Sequence, residues 1–396
     1  MTIEISRSEF FALALGSAAA FQASKVNATP LVESIPPGRR EQLAWLQRSC
    51  KTQFTAPPPP DDGSEMIAVG EYCRANRIVG DYYGQSAFLQ AFERKIATLL
   101  GFEAGCFMPT GTMAQLIMLR IYADRSGNRT MGFHPSSHHL LSENDSFTVL
   151  HNLHGLQISP WERPISAADI EAAPQPLCAV SVEIPVRWIG GQLQTWEELE
   201  AIKRTCRTRG IKLHMDGARL WESQPYYGRS FADICRGFDT VYVSLYKMIG
   251  APGGAMLLGP GELIREARTW RRRHGGEIHR LLPYVVSAAM RIDPILSEMK
   301  NYVKRGRALA AAIAADRRLK VLPEAPPTNL FRVFIPGDAN KLTERRNRIA
   351  EESKIWVSGS FSPSRFPGWV QTELQPGPRF NIGEREAAAA FSSLLG

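Results

Sequence analysis

Apolar residues recur along this chain in two rhythms, and the rhythms alternate. Between Ser86 and Leu100, the residues Phe88, Leu89, Phe92, Ile96 and Leu99 fall at helical spacing, and Gly101 ends the run. Thr195-Trp196-Glu197-Glu198 reads as a capping box. It opens a helix with Trp196, Leu199 and Ile202 on one face, stopped by Gly210. Strand rhythm follows at once: Ile211, Leu213 and Met215 alternate up to Asp216, and Val241, Val243 and Leu245 up to Tyr246-Lys247. A short apolar strand, Cys106 to Met108, leads through Pro109 and Thr110-Gly111-Thr112 into the apolar run Met113 to Ile121. This alternation predicts an α/β fold, a mostly parallel sheet flanked by helices. Functional residues in such sheets collect beyond the carboxyl ends of the strands, where Asp216 and Lys247 both stand.

The pattern also predicts the organisation around that sheet. Residues 65–290 read as the large domain and 291–396 as a smaller C-terminal α/β domain, with Thr328 to Phe334 as its first clear strand. Residues 29–64 read as an arm: a helical stretch from Arg39 to Gln47, then a connector stiffened by Pro57, Pro58, Pro59 and Pro60. Residues 1–28 read as a leader. Phe10 to Phe21 is apolar, and Val26-Asn27-Ala28 resembles a cleavage site. Ser6-Arg7-Ser8-Glu9-Phe10-Phe11 resembles a twin-arginine export signal with Ser8 in place of the second arginine. Export to the periplasm is the expectation; the alternative is a cytoplasmic protein with an apolar N-terminal helix.

Composition narrows the class. Of 396 residues, 44% are hydrophobic and 22% charged, ordinary globular values that exclude disorder and collagen. No apolar run reaches the roughly 20 residues of a membrane span. The net charge of +8 leaves an anionic small molecule, a membrane surface or nucleic acid open. Arg265, Arg268, Arg271, Arg272, Arg273 and Arg280 form the densest basic stretch, read either as a solvated helix face or as an anion contact. No helix-turn-helix, zinc or aromatic-basic pattern accompanies it, so no nucleic acid partner is expected. Six cysteines without a CxxC pair give no zinc ribbon and no redox motif, and no metal site is expected.

The candidate chemistry lies at the ends of separate elements. Thr110-Gly111-Thr112 opens a helix, where free N–H groups and the dipole favour an anion, although a plain N-cap reads the same way. Asp216-Gly217-Ala218-Arg219 is a carboxylate and a guanidinium after a strand, either a functional pair or a structural one. Lys247 precedes Gly250-Ala251-Pro252-Gly253-Gly254, whose glycines let a ligand or backbone approach. A lysine there also reads as one that reaches the surface. His134, His138 and His139 precede Glu143 in a polar turn.

Together these motifs resemble the threonine aldolase and β-eliminating lyase family of pyridoxal-phosphate enzymes, of fold type I. The resemblance runs from about Val79 to Gly259 and includes Gly80-Asp81-Tyr82-Tyr83-Gly84, Pro109-Thr110-Gly111-Thr112-Met113, His138 with Glu143, Leu213 to Trp221 and Lys247 to Pro252. It implies that Lys247 condenses with the cofactor aldehyde and that Asp216 pairs with its pyridine nitrogen. Thr110, Gly111 and Thr112 would hold its phosphate. Arg219 would lie in the cofactor site and fork onto the substrate carboxylate. His138 would stack on the cofactor ring and move a proton, Glu143 would position it or a water, and Tyr83 would approach the substrate across a dimer interface. Arg271 and Arg272 match a basic stretch that approaches a neighbouring subunit's phosphate in this family. A homodimer or homotetramer is expected.

Three departures bear on substrate. Where the family carries a pattern like R-x-V-T-H, this chain has Trp369-Val370-Gln371-Thr372-Glu373, with Arg365 and Arg379 as candidates to replace the missing arginine. The family's S-D-T-V-T-x-P is reduced to Lys51-Thr52-Gln53-Phe54-Thr55-Ala56-Pro57. After Val182-Glu183, an asparagine-histidine pattern becomes Ile184-Pro185-Val186-Arg187. The resemblance therefore implies a lyase that cleaves the Cα–Cβ bond of a β-hydroxy-α-amino acid to glycine and an aldehyde. The alternative is β-elimination or racemisation of another amino acid.

Overall fold

A computed structural model describes residues 38–56 and 61–396; the leader and the four connector prolines lie outside the described residues. Contacts divide the chain into Met1–Leu43 and Ala44–Gly396. In the first unit the described residues open the helix Arg39–Ser49, and every described strand belongs to the second.

The strands of the second unit are β1 (Thr52–Gln53), β2 (Ala104–Met108), β3 (Thr130–Phe133), β4 (His154–Gln157), β5 (Ala179–Glu183), β6 (Lys212–Gly217), β7 (Thr240–Ser244) and β8 (Ala255–Gly259). Beyond them come β9 (Lys320–Leu322), β10 (Phe331–Pro336), β11 (Ile355–Trp356), β12 (Ser362–Pro363) and β13 (Trp369–Leu374). A seven-stranded sheet runs β2-β8-β7-β6-β5-β3-β4. Its ladders from β7 through β4 are parallel, and β8 pairs antiparallel with both of its neighbours. The central strands β5 and β7 are buried at every position, as expected where helices cover both faces.

The flanking helices form where the caps stand. Ser86 accepts from Leu89 N–H and Gly101 closes Ala87–Leu100 in the left-handed region at φ 76°. Thr195 and Glu198 complete a reciprocal capping box ahead of Trp196–Thr208. A helix of 33 residues, Leu282–Ala314, buries Val285 and Ile292 in the core under the large sheet. Its last turns give Leu309 and Ile313 to a second core. That core lies on the antiparallel sheet β12-β13-β10-β9. The strand expected from Thr328 begins only at Phe331, because Thr328 Oγ1 accepts from Leu330 N–H and turns the backbone before the ladder starts.

Candidate active site

Two parallel neighbours, β6 and β7, deliver the central groups. Asp216 is buried near the end of β6, in register with Glu183 on β5 and Tyr242 on β7. Lys247 follows β7 in a turn closed by Gly250 N–H to Lys247 O at 3.0 Å. Thr112, Gln115, His138, Asp216, Ala218, Tyr242, Tyr246 and Lys247 line one small cavity. Burial, with the Arg219 guanidinium beside it, lowers the Lys247 ammonium to about 8, against the opposing pull of Asp216 and Glu183. A neutral amine is therefore accessible near physiological pH.

The floor of the cavity is the start of the helix Gly111–Ser126. Thr110 caps it, its Oγ1 accepting from Met113 N–H at 3.2 Å. Helix geometry leaves the first-turn N–H groups without intrahelical partners. Gly111 is required there by packing, since a Cβ at this position would run into Tyr242 Oη. Gln115 Oε1, from the lining of this cavity, is buried without a hydrogen-bond partner among the described residues.

His138 opens the short helix His138–Leu141. Its Nδ1 lies 2.9 Å from Glu143 Oε1. Glu143 Oε2 accepts from Ser146 Oγ at 3.2 Å and lies 3.4 Å from His139 Nδ1. Burial pushes the Glu143 carboxyl up, but its bonds to His138 and His139 win and hold it well below the usual carboxylate range. It stays ionised and fixes the His138 ring.

A charged cluster adjoins the cavity. Glu373 Oε2 accepts from Arg187 Nε at 2.8 Å and from Arg332 Nη2 at 3.2 Å, while Glu373 Oε1 lies 3.6 Å from Arg219 Nη2. Burial disfavours the Glu373 carboxylate, yet the three guanidiniums outweigh it and keep it ionised. Arg219 Nε also donates to Gln375 Oε1, and Gln375 Nε2 donates to the buried Glu222 at 2.7 Å. Glu183 accepts from Arg187 N–H through Oε1, and its Oε2 has no partner among the described residues. Burial, reinforced by Asp216, pushes Glu183 up to about 7.

Of the residues expected from sequence, Thr112, His138, Asp216 and Lys247 share the cavity, with Glu143 behind His138. Tyr83 does not line it. Tyr83 lies in a separate groove with Gly84, Arg268 and Arg271, its ring 5.1 Å from His279. Arg271 Nη1 donates to Phe107 O at 2.8 Å, and Arg272 pairs with Glu277. Arg365 stands over the Trp161 ring and Arg379 donates to Cys50 O, so both make their contacts away from Glu373. Three other arginines meet Glu373 on the Trp369 strand, Arg187, Arg219 and, from the neighbouring β10, Arg332, a residue the sequence pattern did not single out. Glu183, Glu222 and Gln375 were also missed. A carboxylate at the end of β5, in the same position as Asp216 on β6, was the available signal for Glu183.

The arrangement fits pyridoxal phosphate. The glycine-opened helix start suits its phosphate, the buried Asp216 its pyridine nitrogen, and the depressed Lys247 amine its aldehyde. Comparison with known proteins agrees. A solved structure described as a putative L-allo-threonine aldolase from Listeria monocytogenes superposes with a TM-score of 0.82 at 34% identity, covering 90% of this chain and 99% of that one. A putative aromatic amino acid beta-eliminating lyase/threonine aldolase from Exiguobacterium gives 0.81 at 33%, covering 88% and 98%. A probable low-specificity L-threonine aldolase of Arabidopsis thaliana is 27% identical over 70% of this chain and 81% of its own. Residues 67–334, a span that holds every residue lining the Lys247 cavity, match the model of one family, and the chain belongs to that family, the beta-eliminating lyases.

Proposed function

We propose that this chain is a pyridoxal-phosphate-dependent carbon–carbon lyase that splits a β-hydroxy-α-amino acid into glycine and an aldehyde. The cofactor, when bound, supplies an electron sink for the pair released at Cα. Lys247 is the residue that would carry it, Asp216 would face its ring nitrogen, and Thr110, Gly111 and Thr112 would receive its phosphate. Arg219, shared with Glu373, would orient the substrate carboxylate.

The observation that carries the reading is the bond between Glu143 and His138, which lines the Lys247 cavity. An ionised Glu143 accepts, so the proton sits on His138 Nδ1 and the lone pair on Nε2. Nε2 is then the base for the β-hydroxyl proton. As that proton leaves, the C–O bond becomes C=O, the Cα–Cβ bond breaks, and Cα later takes up a proton to complete glycine. Relatives named as low-specificity L-threonine aldolases support the same reaction.

The description of the family as beta-eliminating favours one second reading, β-elimination. Purified protein given threonine or 3-phenylserine should release glycine and the matching aldehyde. Release of pyruvate and ammonia from serine or cysteine, without glycine, would replace the first reading with the second. A homodimer or homotetramer belongs to the same proposal, because Tyr83 reaches a substrate only if a partner copy brings one to its groove. Export rests on the leader, which the mass of the mature N-terminus would test.

A further inference from the structure

A cavity of about 750 Å³ opens beside the charged cluster, lined mainly by the apolar Trp161, Trp188, Phe334, Phe366, Trp369 and Leu141, with the charged Glu162, Lys320 and Arg365 also in its lining. One sheet face joins the two. Antiparallel register sets Arg332 opposite Glu373, Phe334 opposite Gln371 and Pro336 opposite Trp369. Residues facing each other across a ladder, and their i+2 neighbours, share a face. That face passes from charge to aromatic surface in one step of two residues, about 7 Å.

The joint is tight. Gln371, which lines the cavity, accepts from Arg332 Nη1 at 3.3 Å. Trp188, also in the lining, lies under the Arg332 guanidinium at 4.4 Å. Leu141 stands three residues after His138 on the same short helix, so the base and this wall share one face. Phe366 and Leu141 keep 64% and 47% of their surface exposed, apolar area that an apolar guest would cover.

We infer that this cavity receives the β-substituent of the substrate, and that the substrates are β-hydroxy-α-amino acids bearing a bulky apolar group on Cβ. The inference rests on the lyase reading and specifies it. A methyl group would fill a small fraction of such a space, whereas pockets of about 300–1,000 Å³ enclose drug-sized groups. The carboxylate stays with the arginines, the hydroxyl with His138 and the side chain runs along the aromatic face.

The test compares kcat/KM of the holoenzyme for threonine and 3-cyclohexylserine, scoring glycine and aldehyde. A saturated ring is used because conjugation in benzaldehyde would favour cleavage of phenylserine by itself. One methylene in an apolar pocket is worth roughly 10-fold or more, so cyclohexylserine should lead by at least about 100-fold. Phe366→Ser, at an exposed position, should cut that ratio about 10-fold, and Trp369→Arg should cut it further. Equal efficiency on both substrates, or a ratio that neither variant moves, overturns the assignment. It is overturned equally if the cavity is a contact between copies, read as Phe366→Ser dissociating an oligomer with the ratio unchanged. Failure to release glycine from either substrate sinks the lyase reading instead.

Discussion

Arg187 Nε donates to Glu373 Oε2 at 2.8 Å, joining two positions that the sequence pattern marks as departures from the resemblance. Neither departure stands alone, because Glu373 also neutralises Arg332 and Arg219. Removing the carboxylate leaves three guanidiniums facing one another with little water to screen them. Glu373→Gln should lower unfolding free energy by about 3 kcal/mol, since breaking a buried ionic cluster strands its remaining charges. Arg187→Gln in the same background should cost less than it does alone, and urea unfolding of the four proteins of the cycle measures that coupling. Additive losses would mean that the two side chains do not share a load.

Lys247 should set a pH dependence that a surface lysine would not show. With its ammonium lowered from 10.5 to about 8, roughly a quarter of it is neutral at pH 7.5, against about 0.1% for an unperturbed lysine. Only the neutral amine attacks an aldehyde. The rate at which apoprotein captures pyridoxal phosphate should therefore climb through pH 8 and level off above it. Lys247→Ala should lose the visible absorption band of the lysine-bound cofactor altogether. A capture rate still rising tenfold per pH unit at pH 10 would contradict the depressed amine.

Glu143 should matter to turnover more than to binding. Glu143→Gln keeps the shape and still accepts from Ser146 but no longer holds a charge against His138 Nδ1. The imidazole then loses its fixed tautomer. We expect kcat for aldehyde release to fall about 100-fold with KM changed less than threefold. Because Glu143 is held ionised far below neutrality, it should contribute no limb to the wild-type pH profile between pH 5 and 9. An equal rise in KM would reassign Glu143 to substrate binding.

How far the sequence could be read depended on the range of the interaction. Asp216 and Lys247 were visible because one lies at the end of a strand and the other just beyond one, and the alternation of both strands is local; Thr110-Gly111-Thr112 was visible because a cap and a helix start adjoin in sequence. The large sheet was legible for the same reason. Arg332 was not, although it lies in a strand the pattern had located. Its meaning comes from register with Glu373, and cross-strand register is set by packing rather than by any spacing along the chain. Arg365 and Arg379 are near Trp369 in sequence, whereas Arg332 is its strand's neighbour in space. The aromatic cavity escaped notice likewise, its walls coming from segments around residues 141, 161, 188, 334 and 366.

Glu222 offers a test of the buried side of the site that does not depend on activity. It is fully buried, and its Oε1 accepts from Gln375 Nε2 while its Oε2 has no partner among the described residues. Burial pushes its carboxyl from 4.5 up to about 7, against the pull of Arg219. For an acid raised in the folded state, the native protein holds a proton that the unfolded chain has lost between these two values. Stability therefore falls as pH rises through this window, and the penalty is complete above about pH 7. Glu222→Gln mimics the protonated form at every pH. Relative to wild type, it should gain about 2–3 kcal/mol in unfolding free energy on going from pH 5 to pH 8.5. Urea unfolding at the two pH values decides it, and a pH-independent difference would mean that Glu222 titrates as an ordinary carboxyl.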